Sequence, residues 1–86
     1  MKISISLYGA FRECDPRGSV ELDVPEPAKV SDLRAAFEAH GLAHWPAFKP
    51  GLLAASVFAS ESTLLRENEA LPANGRLAVL PPVSGG

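Results

Sequence analysis

Few residues in this chain carry chemistry of their own, and they lie far apart. His40 and His44 stand four residues apart, the spacing that puts two side chains on one face of a continuous helix. Gly41 between them and Pro46 behind them read as the end of a helix, so the pair is not expected to be held together. Zinc sites draw three or four ligands, and no further Cys or His adjoins these two, so no metal centre is expected. Cys14 is the sole cysteine, which rules out an intrachain disulfide and suits a reducing compartment. Nothing local supplies the base or positive charge that would activate it, so a semi-buried, inert thiol is expected. Neither a phosphate-binding glycine loop nor a nucleophile elbow occurs. Glu67 and Glu69 read as solvated loop carboxylates.

The ending is different: Leu80 is followed by Pro81-Pro82-Val83-Ser84-Gly85-Gly86. Two prolines stop a helix or a central strand and favour a stiff, extended chain. Seven residues from Leu80 reach roughly 20–25 Å when extended. Glycine without a Cβ can thread a narrow channel and bring its backbone close to a buried centre. A terminal carboxylate is unreactive, but ATP can convert it to an acyl adenylate, which accepts sulfur readily. The ending therefore has two readings: a frayed chain end, as most termini are, or a projecting tail that carries the chemistry at Gly86.

Such a tail needs a body to present it. Ile3, Ile5 and Leu7 alternate with Lys2, Ser4 and Ser6, the period of a strand with one buried face. Asp15-Pro16-Arg17-Gly18 supplies turn chemistry, and Val20, Leu22 and Val24 alternate again, so the two runs predict a hairpin with a longish loop. Pro25-Glu26-Pro27 ends it. Val30, Leu33 and Phe37 then fall on one helical face, with Ser31 as the cap candidate, a start one or two residues earlier burying Val30 better, and Gly41 as the stop, giving about three turns. Leu42–Pro50 reads as irregular, with Trp45 and Phe48 packing on the core edge. Leu52–Ala59 is compatible with a buried strand, Ser60–Leu71 with a short strand or turn, and Leu77–Leu80 with a last strand after the Pro72–Gly75 turn. Two strands, a helix and two strands make an α+β domain: a mixed sheet packed on one main helix, its first and last strands side by side at the centre.

The totals set bounds. With 86 residues there is room for one small domain. A net charge of −2 with scattered Lys and Arg argues against nucleic acid, which requires a dense basic face. The start of the chain enters a strand pattern at once and no apolar stretch is long enough to span a bilayer, so no membrane role and a cytoplasmic location are expected.

Leu77-Ala78-Val79-Leu80-Pro81-Pro82-Val83-Ser84-Gly85-Gly86 resembles the C-terminus of the small subunit of molybdopterin synthase. Ile5 to Glu13, with its strand and Arg12-Glu13 pair, and the helix from Val30 to Phe37 resemble that family too, so the likeness covers essentially the whole chain. It implies a β-grasp, ubiquitin-like domain over residues 1–80 and a flexible Gly-Gly tail over 81–86. It implies that Gly86 is adenylated by an activating enzyme that uses ATP, thiocarboxylated by a sulfur-donor system, and inserted into the large subunit to donate sulfur to a pterin precursor. Pro81, Pro82, Val83, Ser84 and Gly85 would line the route in, and Tyr8 and Leu80 would press on the partner, the alternative for Tyr8 being a core-edge aromatic. The chain would be a carrier subunit with no catalytic side chains and no bound cofactor. Asn74-Gly75-Arg76 and Ser56-Val57-Phe58-Ala59 depart from common spellings of the family without touching the tail. A carrier for thiamine thiazole shares the fold and the Gly-Gly but usually lacks Pro-Pro-Val-Ser, and a ubiquitin-like modifier would instead link Gly86 to lysines.

Overall fold

The first strand, β1 (Lys2–Leu7), buries Ile3, Ile5 and Leu7 almost completely and turns its polar residues away, as its period of two demands. The computed structural model describes residues 1–82. A short 3-10 turn (Gly9–Glu13) follows, and β2 (Ser19–Asp23) returns antiparallel to β1 with Ile5 opposite Val20. The loop is closed by the Leu7 amide donating to the Gly18 carbonyl at 2.9 Å. After it come α1 (Val30–His44), α2 (Pro50–Ala54), β3 (Val57–Ala59), β4 (Leu64–Leu65) and β5 (Arg76–Leu80).

The sheet has five strands in the order β2-β1-β5-β3-β4, so the last strand lies at the centre. It pairs parallel with β1 and antiparallel with β3. The expected neighbours, first and last strands, are thus side by side, and the architecture is the expected mixed sheet under one main helix, the β-grasp fold. The expected short strand or turn within Ser60–Leu71 contains β4, only two residues long.

The helix begins at Val30, the earlier of the two starts the sequence allows, and not after a Ser31 cap. Two of its first amides are satisfied from outside: Val30 donates to the Glu69 carbonyl and Ser31 to the Glu67 carbonyl, each at 3.0 Å. The Asp32 carboxylate accepts from the Lys29 amide at 2.8 Å, so an acid in the first turn completes the cap. At the other end the helix runs straight through Gly41 to His44, 15 residues in all. Gly41 is buried, and a β-carbon there would lie 2.5 Å from Cδ1 of Phe48. Its missing side chain serves ring packing, not a left-handed stop. The expected strand over Leu52–Ala59 is also shorter: Pro50 opens the α2 turn, the one helical position where its missing amide costs nothing, and only Val57–Ala59 is extended.

Phe37 occupies the middle of the core, fully buried. It meets Phe11 (5.7 Å between ring centres, 89°), Trp45 (5.5 Å, 72°) and Phe58 (6.0 Å, 77°) edge to face, with Phe48 tilted at 6.3 Å. Each such pair adds about 0.5–1.5 kcal/mol beyond burial. Trp45 and Phe48 pack as expected.

Arg34 forms a second anchor. Its guanidinium donates from Nε and Nη2 to both Glu67 oxygens (2.8 and 2.7 Å), and to the carbonyls of Leu53 (2.6 Å) and Ser56 (2.9 Å), while lying 5.0 Å from the centre of the Phe58 ring. Glu67 is thus exposed on its loop, as expected, but paired rather than free. The arginine holds its carboxyl below the usual range, by hydrogen bonding first, against the opposing effect of burial. One side chain ties the helix to the α2–β3 turn and to the loop after β4.

Candidate functional site

Alternation in β1 and β5 decides what the sheet shows to solvent. Ile5, Leu7, Leu77 and Val79 point into the helix-covered core, so Ser6, Ala78 and Leu80 point the other way. Leu7 is the register partner of Val79, and the backbone remains extended at Tyr8 (φ −127°, ψ 158°). Tyr8 and Leu80 therefore follow as neighbours across the parallel pair. On the other side of β5, Leu80 is the register partner of Val57. Tyr8, Leu80 and Val57 make a row across three strands, and Ala78, Ala59 and Leu64 make the next.

This face is apolar and open. Tyr8 is 48% exposed, Val57 40% and Leu64 61%, with no part of the described chain covering them. Covering side chains of this size yields on the order of 1 kcal/mol each when they start half-exposed. Beside them a shallow hollow is lined by Ser6, Tyr8, Ala59, Ser60, Glu61 and Arg76. An apolar centre with a polar and charged rim is the anatomy of a protein-docking surface.

The chain leaves the sheet at the edge of this face. Gly9 has φ +57°, and a β-carbon there would lie 2.7 Å from Cγ of Pro81. Only glycine fits, both for its backbone angle and for the proline ring seated on it. Pro81 is thus held against the turn after β1, and Pro82 is exposed. Tyr8 and Gly9, just past the end of β1, thus meet Leu80 and Pro81, more than seventy residues on, where the tail begins. Val83, Ser84, Gly85 and Gly86 lie outside the described residues.

Val57 and Leu64 belong to this face but were not singled out from the sequence. The fully buried Phe58 was the available signal: it fixes Val57 and Ala59 on the opposite face of β3. Leu64 joins only through the β3–β4 register, which a single sequence does not reveal.

The other candidates lie elsewhere. Cys14 lines a hollow with Phe11, Lys49 and Leu52. Burial, then the charges of Glu13 and Asp15, push its thiol up from its ordinary value, which disfavours the nucleophilic thiolate. His40 and His44 sit together at the end of α1. Among the described residues no helix is long and apolar enough to cross a membrane.

The model of the ThiS family matches residues 5–86. Among solved structures, a crystal structure of SAMP1 from Haloferax volcanii is similar at 26% identity and a TM-score of 0.75, over 100% of both chains. A crystal structure of the H. volcanii small archaeal modifier protein 1 is similar at 24% identity and a TM-score of 0.73, over 95% of this chain and 98% of that one. No curated protein matches.

Proposed function

This chain belongs to the ThiS family of ubiquitin-like sulfur carriers, and from that membership we propose that it carries sulfur on Gly86 as the small subunit of a molybdopterin synthase. An adenylating enzyme would use ATP to convert the Gly86 carboxylate to an acyl adenylate, releasing pyrophosphate. A sulfur-donor system would then displace AMP, leaving a thiocarboxylate. The outer face around Tyr8 and Leu80 would dock on the large subunit while Pro81 to Gly85 lead the thiocarboxylate into its active site.

The observation that carries this reading is the meeting of an open apolar face with the exit of the tail, where Pro81 is seated on Gly9. A docked partner is thereby presented with the tail at a fixed point, which lowers the ordering cost of insertion. The Pro-Pro-Val-Ser-Gly-Gly spelling favours molybdopterin over thiamine thiazole as the destination of the sulfur.

The test starts with the adenylating enzyme, ATP and a sulfur donor, and follows intact mass for replacement of one oxygen by sulfur. Thiocarboxylated chain is then joined to a molybdopterin synthase large subunit and the pterin precursor. Molybdopterin formation that requires Gly86 is the expected result. Loading without product, using a large subunit active with its own partner, would redirect the carrier to another acceptor, thiazole first.

The likeness to a small archaeal modifier protein favours one second reading, transfer of Gly86 to lysines of other proteins. Isopeptide-linked conjugates lost on removing Gly86 would support it.

A further inference from the structure

The continuation of α1 through Gly41 brings together two residues that a helix ending there would have kept apart. His40 and His44 share a face one turn apart, with ring centres 4.6 Å from each other and planes tilted by 43°. The His40 ring also meets Trp45 in a T-shaped contact, at 5.0 Å and 82°, and Trp45 is itself buried against Phe37 and Phe48. One imidazole is therefore positioned by the core, while the other, on exposed His44, remains free to adjust.

A first-row dication binds imidazole nitrogen at about 2.0–2.1 Å, which sets the ring centre about 3.2 Å from the ion. Two such rings at a right angle about one ion stand roughly 4.5 Å apart, which is close to the separation observed. We infer that His40 and His44 form a two-imidazole site for a transition-metal dication, Cu(II) or Ni(II) ahead of Zn(II), with water in the remaining positions. Imidazole suits these ions, and affinity for a given nitrogen site rises from nickel to copper and falls again at zinc. Among the described residues no group of three or more His, Cys, Asp and Glu is placed to hold a metal, so the site is open rather than enclosed. Its position at the last turn of α1 puts the cation at the negative end of the helix dipole. Asp15 and Arg17, whose charges reach His40, pair with each other at 3.2 Å, and Glu21 lines the same hollow as His40, so an acidic group stands beside the rings. His40 lines a hollow with Ser4, Arg17, Ser19 and Glu21 beside β1 and β2, and that hollow does not include Tyr8, Val57, Leu64 or Leu80.

The test uses the full, untagged chain carrying Cys14→Ser, so that no thiolate competes. Titration with Ni(II) should give one ion per chain, with Cu(II) binding more tightly. Binding only to the folded state should raise Tm by roughly 10–20 °C at free Ni(II) a hundredfold above Kd. Both effects should vanish in His44→Ala, an exposed position where the fold is safe. They should not return when Leu42→His is added, which restores two histidines but places them two residues apart on different faces. Unchanged stoichiometry and Tm rise in His44→Ala would overturn the site. So would recovery in the relocated pair, or no Ni(II) binding by the starting chain up to millimolar metal.

Discussion

The two faces of the sheet are made by the same strands and the same alternation, yet they do opposite work. The inner face is closed by α1, and its Ile3, Ile5, Phe58 and Val79 are wholly buried around Phe37. The outer face has side chains of similar type, Tyr8, Val57, Leu64 and Leu80, and leaves three of them 40% exposed or more. The inner face holds the fold together, while the outer one leaves apolar surface open, which the proposed function would use for a partner. In a domain this small there is no spare layer to separate the two tasks, so each residue's parity in its strand decides which it serves.

Substitutions on the two faces should therefore separate stability from binding. Phe37→Ala removes the hub of the aromatic cluster and should cost about 3–5 kcal/mol. Set against a total stability on the order of 5–15 kcal/mol, that should be plain as a large drop in the urea midpoint. Arg34→Met leaves Glu67 and two carbonyls without their donor and should cost about 2 kcal/mol, read in the same titration. Tyr8→Glu should change stability by no more than about 0.5 kcal/mol, as surface substitutions do, yet weaken binding to the acceptor enzyme at least tenfold. A Tyr8→Glu chain that melts early but still binds would erase the distinction between the faces. The smallest effect concerns pH. Glu67 has a folded pKa below its ordinary 4.5, so its ion pair stabilises the fold fully above that value and is lost as pH falls through the folded pKa. Wild type and Glu67→Gln should converge in Tm as pH is lowered from about 6 to 3.

Much of this was legible in the sequence because it rests on local patterns. The alternation of Ile3 to Leu7 and Val20 to Val24, and the turn before Leu77, place three of the five strands. The tail speaks for itself through residue type. What failed did so where a residue's reason lay elsewhere in the chain. Gly41 resembles a helix stop, but it is glycine because the Phe48 ring lies against it. Ser31 resembles a cap, but the carbonyls of Glu67 and Glu69 already satisfy the first turn. Pro50 resembles a breaker and is the first residue of a helical turn. The site was half legible: Tyr8 and Leu80 were named, whereas Val57 and Leu64 depend on cross-strand register.

The central place of β5 has a mechanical side. Its hydrogen bonds run across the strand to β1 on one flank and β3 on the other. A pull on the chain beyond Leu80 acts along the strand and loads both ladders together in shear, whereas the same pull on an edge strand could peel one ladder open bond by bond. If the proposed carrier cycle holds, with the tail drawn out of another protein after each delivery, the domain is gripped where it resists traction best, by its own middle.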